Sequence, residues 1–282
     1  RVVTICGPRN YQLTWPLQVG ELMELEEWPV IREELNSRPE VPDRTNFETY
    51  AVGVIGKTLY EWTTYGYTLK QWGVEPALLS SSFAPKRLVL RDDGVRDMFR
   101  DPFQGWAEGG WGTLVGNLLS GISMRLGKEL NLSNLPGSAD AYIITAPLDA
   151  FLGHQALPWR GVKTEFSYEP SGGAVLPAAV VNEPHADIPY TRRVETRQMS
   201  QMPLGAGTVV GYEYPGAPAK HYPLDDAAGE NRARHREMMR ELKREVPEAV
   251  IAGRLACYVY QDIDMSIMQG LNAARKLAKQ HG

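Results

Sequence analysis

The 282-residue chain has only two cysteines, Cys6 and Cys257, far apart and in neither a CxxC nor a CxxH spacing. That excludes a disulfide framework and a cysteine-based structural zinc site, and it predicts a reducing, cytoplasmic setting. No uninterrupted apolar run approaches the roughly 18–20 residues of a bilayer span. The opening residues also lack the charged and apolar regions of a secretory signal. Positive charge is not in excess: 30 Lys and Arg face 34 Asp and Glu, a formal net charge of -4. Global attraction to nucleic acid or anionic membrane is therefore absent, and any anion site has to be built from particular Arg or Lys residues. Glycine-rich phosphate loops of the GxGxxG or GxxxxGK[ST] type are missing, as is the GxSxG nucleophile turn. The five histidines, His154, His185, His221, His235 and His281, show no metal spacing and no evident Ser or Cys partner, so no metal is expected.

What is present reads as mixed α and β. Residues 1–17 alternate loosely around a Gly7-Pro8-Arg9-Asn10 turn and start an antiparallel sheet region. Residues 18–80 look helical, with Asn46 as N-cap and Val52, Ile55, Leu59 and Trp62 at helical spacing. Residues 81–228 hold an irregular connection with a short strand at 87–91 and a short helix at 113–119. An antiparallel sheet follows, mainly over 140–222. In the last part, 229–282, a charged helix places Met238, Met239 and Leu242 on its inner stripe. A buried strand and turn come next, then a helix from Asp264 with Ile267, Leu271, Ala274 and Ala278 on one face.

Four segments can carry chemistry, and each also has a plain structural alternative. In "YGYTLKQWG", Tyr67, Gln71 and Trp72 suit a flat ligand with a polar edge, or an aromatic staple at a helix end. In "DIPYTRRVE", adjacent Arg192 and Arg193 point to opposite faces of a strand, so one of them at most can clamp a phosphate or carboxylate. The alternative is a solvated edge strand. In "AGRLACYVYQDID", Gly253 permits close backbone approach, and Tyr258 and Tyr260 share a face of an extended segment. Asp262 and Asp264 there precede a helix N-terminus, as ligand groups or as a cap. In "KRLVLRDD", Lys86, Arg87 and Arg91 form a basic cluster or a solvated face.

Taken together and in order, these segments resemble the UDP-galactopyranose mutase family. "GYTLKQW" matches its GYT-x-KQW, "IPYTRRVE" its VPYTR-x-x-E, and "GRLACYVYQDID" its GRL-x-x-Y-x-Y-x-D. "NFETYAVGVIGKTLYE", "FQGWAEGGW", "APLDAFL", "VVNEPHADIPYTR" and "EYPGAPAKHYPLDD" add support along nearly the whole chain. The resemblance implies an isomerase that interconverts pyranose and furanose forms of a nucleotide-diphospho-hexose through attack of reduced FAD N5 on the anomeric carbon. It implies that Arg87 and Arg192 neutralise the diphosphate, and that Tyr67, Thr68, Trp72 and Asn182 line the nucleotide-sugar pocket. Tyr222 and Tyr260 would bind the diphosphate, and Gly253, Arg254 and Asp262 would hold the flavin. The implied fold is mixed α/β: an FAD-linked reductase-like mutase fold with a helical substrate domain and an antiparallel sheet.

Departures from the family pattern bear on the substrate. Met98 stands where the family has a phosphate-binding tyrosine, His221 replaces the first tyrosine of YYP, and Cys257 replaces an acidic residue. The family's glycine-rich opening has no counterpart, and the chain starts in mid-strand at Arg1. This predicts that the N-terminal part of the dinucleotide-binding lobe is missing, leaving the last strand short of partners. The expected partners are a nucleotide-sugar, a second copy of the chain and, if nothing precedes Arg1, a separate polypeptide carrying that lobe. A non-catalytic nucleotide-sugar-binding module is the alternative function. Another flavoprotein of the amine-oxidase-like fold is disfavoured by the KQW and PYTR motifs.

Overall fold

The computed structural model describes residues 1–170, 172–200 and 206–281. In chain order the strands are β1 (Val2–Cys6), β2 (Tyr11–Trp15), β3 (Leu17–Gln18), β4 (Leu90–Arg91), β5 (Tyr142–Ile144), β6 (Trp159–Glu169), β7 (Val180–Asn182), β8 (Arg192–Val194), β9 (Thr208–Pro223) and β10 (Ala249–Ile251). The helices are α1 (Val19–Leu22), α2 (Trp28–Asn36), α3 (Phe47–Ile55), α4 (Lys57–Tyr60), α5 (Gly66–Trp72), α6 (Gly110–Leu118), α7 (Leu148–Leu152), α8 (Arg197–Ser200), α9 (Glu230–Glu245), α10 (Gly253–Cys257) and α11 (Ile263–His281). The chain divides into two compact units. The first comprises Arg1–Leu126 and Val162–Ala217, the second Gly127–Gly161 and Pro218–Gly282. The division falls inside β6 and β9, and it differs from the four sequential segments read from the sequence.

The first unit is built on a sheet of order β2-β1-β7-β8-β9-β6. Asn10 N–H bonds to Gly7 O at 3.3 Å, forming the expected turn between β1 and β2, and both residues have positive φ. The sheet is mixed rather than purely antiparallel, because β1 pairs with β7 in parallel, Val3 opposite Val181. Val181 and Val210 are buried on it with Leu176 beside them. Asn46 caps α3 as expected, accepting from Thr49 N–H while the Thr49 hydroxyl accepts from Asn46 N–H. The apolar run that continues through Leu59 and Trp62 is not one helix. Gly56 breaks it at φ +80, a conformation open to glycine at little cost. Helical chain resumes at Lys57 and passes through a π-helical turn, Glu61–Tyr65, into α5. Such turns inside helices often mark functional positions.

The second unit has its own core, in which Leu148, Phe151, Met238, Leu242, Ala249 and Tyr258 are buried together. Strand β10 has a parallel partner in β5, Val250 opposite Ile143, so it is better supported than its sequence position suggested. Met239 is not on the inner stripe of α9. It is 38% exposed, whereas Asn231, His235, Met238 and Leu242 face inward. The α11 expectation also needs correction: Ile267 and Leu271 are about half exposed, and among the described side chains of this helix Ala273 is the buried one. The reason is polar anchoring on the other side. Gln269 accepts from Gly253 N–H and from Gln261, and Ser266 contacts Gln261 and the Asp262 carbonyl. Helix α11 thus begins after Asp262, and Asp264 lies in its first turn, where an acid opposes the helix dipole favourably. No described helix is long and apolar enough to cross a membrane.

Candidate functional site

In the first unit, α5 lies against the loop between β7 and β8. Gly66 makes this approach possible: a Cβ there would stand 2.1 Å from the Pro184 carbonyl oxygen. One turn later the Lys70 ammonium donates to the carbonyls of Glu183 at 2.6 Å and of His185, Ile188 and Tyr190 at 2.9 Å each. Burial pulls Lys70 down to about 8, although Glu183 and Asp187 push the other way. Next to it, the Thr191 hydroxyl donates to Gln71 Oε1 at 3.3 Å, joining two motifs 120 residues apart.

Thr191 leads straight into β8. Arg192 Nε donates to Glu213 Oε2 at 2.5 Å, and Arg193 donates to Glu183 Oε1 from Nε at 3.0 Å and from Nη2 at 2.5 Å. The two arginines therefore do point apart, each with a carboxylate of its own. Asn182 is the register partner of Arg192 across the β7–β8 pair, and its amide donates to Thr4 Oγ1 at 3.3 Å. A fork of charge and an amide thus share one place on the sheet.

Tyr67 is half-buried on α5, and Thr68, Gln71 and Trp72 are buried. The Trp72 ring packs on Phe83 with centroids 5.1 Å apart, and Phe83 stacks on Phe47 at 5.3 Å. Trp72 is thereby a packed aromatic, as in the staple reading, and it borders the short 3-10 turn Ala84–Lys86 that delivers Arg87. Arg91 turns back to the carbonyls of Asp97 at 2.6 Å and Met98 at 3.1 Å. That arginine closes a loop.

In the second unit, Tyr222 and Tyr260 stack at 5.5 Å with an interplanar angle of 20°. The Arg254 guanidinium lies 5.3 Å from both ring centroids, donates to His221 O at 2.8 Å and binds Gln261 O through Nε and Nη2. Cation–π contact and three main-chain bonds fix the arginine and order both tyrosines. Tyr258 and Tyr260 do not share a face of an extended segment. The sequence runs as α10, then Tyr258 at φ +47, buried and donating to Pro158 O and Leu224 O, while Tyr260 turns to Tyr222. Gly253 has φ +86 and open space where a Cβ would stand. Among the described residues, no cluster of His, Cys, Asp or Glu is placed to hold a metal. The side chain of His281 lies outside the described residues.

Sequence reading did not assign a role to Lys70 or Gly66. Both sit in the quoted motif at i and i+4, which puts them on one helix face. Glu213 gave no signal, since its partner is known only once β8 and β9 are paired.

A family model described as UDP-galactopyranose mutase matches residues 63–260. The Klebsiella pneumoniae protein named Probable UDP-galactopyranose mutase is 32% identical over 240 residues, covering 81% of this chain and 60% of its own length. The Escherichia coli dTDP-fucopyranose mutase is 27% identical over 252 residues, covering 85% of this chain and 66% of its own. The chain thus spans less than two thirds of the length of these relatives. A crystal structure of reduced UDP-galactopyranose mutase superposes with a TM-score of 0.75 at 15% identity, over 99% of this chain and 78% of the other, which shows a shared fold.

Proposed function

The chain belongs to the UDP-galactopyranose mutase family, and from that premise we propose that it interconverts the pyranose and furanose forms of a nucleotide-diphospho-hexose with reduced FAD as cofactor. The substrate class follows the names of the relatives, whose sugars are UDP-galactose and dTDP-fucose. The observation that carries the reading is the joining of "GYTLKQW" to "DIPYTRR" through Lys70 and the Gln71–Thr191 bond.

When bound, reduced flavin would supply a nucleophilic nitrogen, N5, for the anomeric carbon. The chain's own residues supply binding and charge. Arg192 and Arg87 neutralise the diphosphate most strongly as negative charge collects on it in leaving, a task suited to the guanidinium fork. Glu213 holds Arg192 in place until a phosphate competes for it. Tyr67, Thr68 and Asn182 give hydroxyl and amide groups to the nucleotide-sugar, with Trp72 as the packed support behind them. Within the second unit, the stacked Tyr222 and Tyr260 offer two phenol hydroxyls of the kind that suit phosphate oxygen. The donor set fits one edge of a flavin cofactor: the open backbone at Gly253, the fixed Arg254 cation and the Asp262 carboxylate at the start of α11 suit a diphosphate and a polyol chain.

The test is incubation of the chain with UDP-galactopyranose and dithionite-reduced FAD, with chromatographic separation of the furanose product. Product that appears only with reduced flavin is expected. A colourless chain that binds UDP without turnover identifies a nucleotide-sugar-binding module instead. Absence of both binding and turnover refutes the reading.

A further inference from the structure

The loop from Glu183 to Tyr190 has an unusual arrangement of its polar groups. Its two prolines, Pro184 and Pro189, have no N–H to offer, and four of its carbonyls converge on one point. Convergent carbonyl dipoles repel one another unless a cation sits between them, and a half-buried place makes that repulsion strong. Four oxygens at 2.6–2.9 Å are the surroundings of a small bound cation. Here the cation is the ammonium of Lys70, carried in by α5. Three N–H bonds serve four acceptors, so at least one is shared.

The rest of the contact shows what the ammonium positions. Gly66 lets α5 touch Pro184, and the Glu183 side chain is already taken by Arg193. The loop closes on itself by Glu183 N–H to Thr191 O at 2.8 Å. Thr191 is then fixed from two sides, by Gln71 and by its own N–H to Glu213 O at 2.9 Å. Arg192 follows directly, against Glu213.

We propose that Lys70 is a positioning residue whose ammonium stands in for a bound cation, gathering four carbonyls of the Glu183–Tyr190 loop and so setting where Arg192 stands. The consequence for diphosphate binding rests on the function proposed above; the folding of the loop around the ammonium does not.

The test uses the full chain with Lys70→Met and Lys70→Ala, read by hydrogen exchange and by calorimetric titration with UDP. Exchange of the 183–191 amides is expected to quicken by about tenfold or more in Lys70→Met, the scale of one lost charge-assisted hydrogen bond, while α9 amides stay unchanged. UDP binding weakens by a similar factor. Ethylammonium chloride restores loop protection to Lys70→Ala, and tetramethylammonium chloride, which has no N–H, does not. If Lys70→Met loosens α9 as well, the comparison of the two salts on Lys70→Ala decides. Unchanged loop exchange in Lys70→Met, or equal effects of the two salts, overturns the proposal. A parent chain that fails to bind UDP contradicts the function but leaves the exchange result to judge Lys70.

Discussion

Replacing Gly66 with alanine should weaken this protein, although helix propensity favours the change. Gly66 sits in helical chain at φ -64 and ψ -35, where alanine is better than glycine by about 1 kcal/mol. Close approach, not backbone freedom, is what requires glycine here. The new Cβ would lie 2.1 Å from the Pro184 oxygen, and real contacts of this kind do not fall below 3.0 Å. The two backbones must therefore separate by at least 3.0 − 2.1 = 0.9 Å. Such a shift would stretch the Lys70 bonds to ~3.5–3.8 Å, beyond a working hydrogen bond. Overpacking costs about 1–3 kcal/mol, and the loosened ammonium cage adds to it. Net destabilisation is then about 1–3 kcal/mol, a fall in Tm of about 2–12 °C for a chain of this size. The assay is calorimetric melting beside UDP titration. A Gly66→Ala chain that melts at or above the parent and binds UDP equally well refutes the reasoning.

Other outcomes follow from the second unit. Asp149 is buried and accepts from Lys220 at 2.9 Å and from the amides of Ala150 and Leu157 at 2.8 Å each; burial alone would raise its pKa, but these donors outweigh it and hold it low. Asp149→Ala leaves a cation and two amides without an acceptor, so thermal melting should show a loss of about 3–5 kcal/mol, with less lost in Asp149→Asn. His235 is buried with Nε2 donating to Ala256 O, and burial lowers its pKa from 6.5. Below pH 6.5 the unfolded chain binds a proton that the folded chain does not, so urea stability should fall with pH through that window, and less steeply in His235→Gln.

Much of this was legible in the sequence where the signal is local. The Asn46 cap and the Gly7–Asn10 turn follow from side-chain and backbone preferences within four residues. Opposite faces for Arg192 and Arg193 follow from strand alternation alone. The misses required tertiary partners. Met239 and the apolar stripe of α11 looked inward by hydrophobicity, but a buried hydrogen bond of His235 and a half-buried one of Gln269 oriented those helices instead. Lys70 read as one charge in an aromatic motif because its partners are four carbonyls more than 110 residues away. Tyr258 could not be separated from Tyr260 until α10 placed one in the core and the other on Tyr222.

The central claim is that the first unit presents Arg192 to a nucleoside diphosphate, and calorimetric titration of UDP into the parent chain and into Arg192→Ala tests it most directly. One saturable site in the parent and at least tenfold weaker binding in Arg192→Ala are predicted, since removal of a paired charge at a phosphate costs about 2 kcal/mol or more. No binding by the parent, or equal affinity in the two chains, would contradict it.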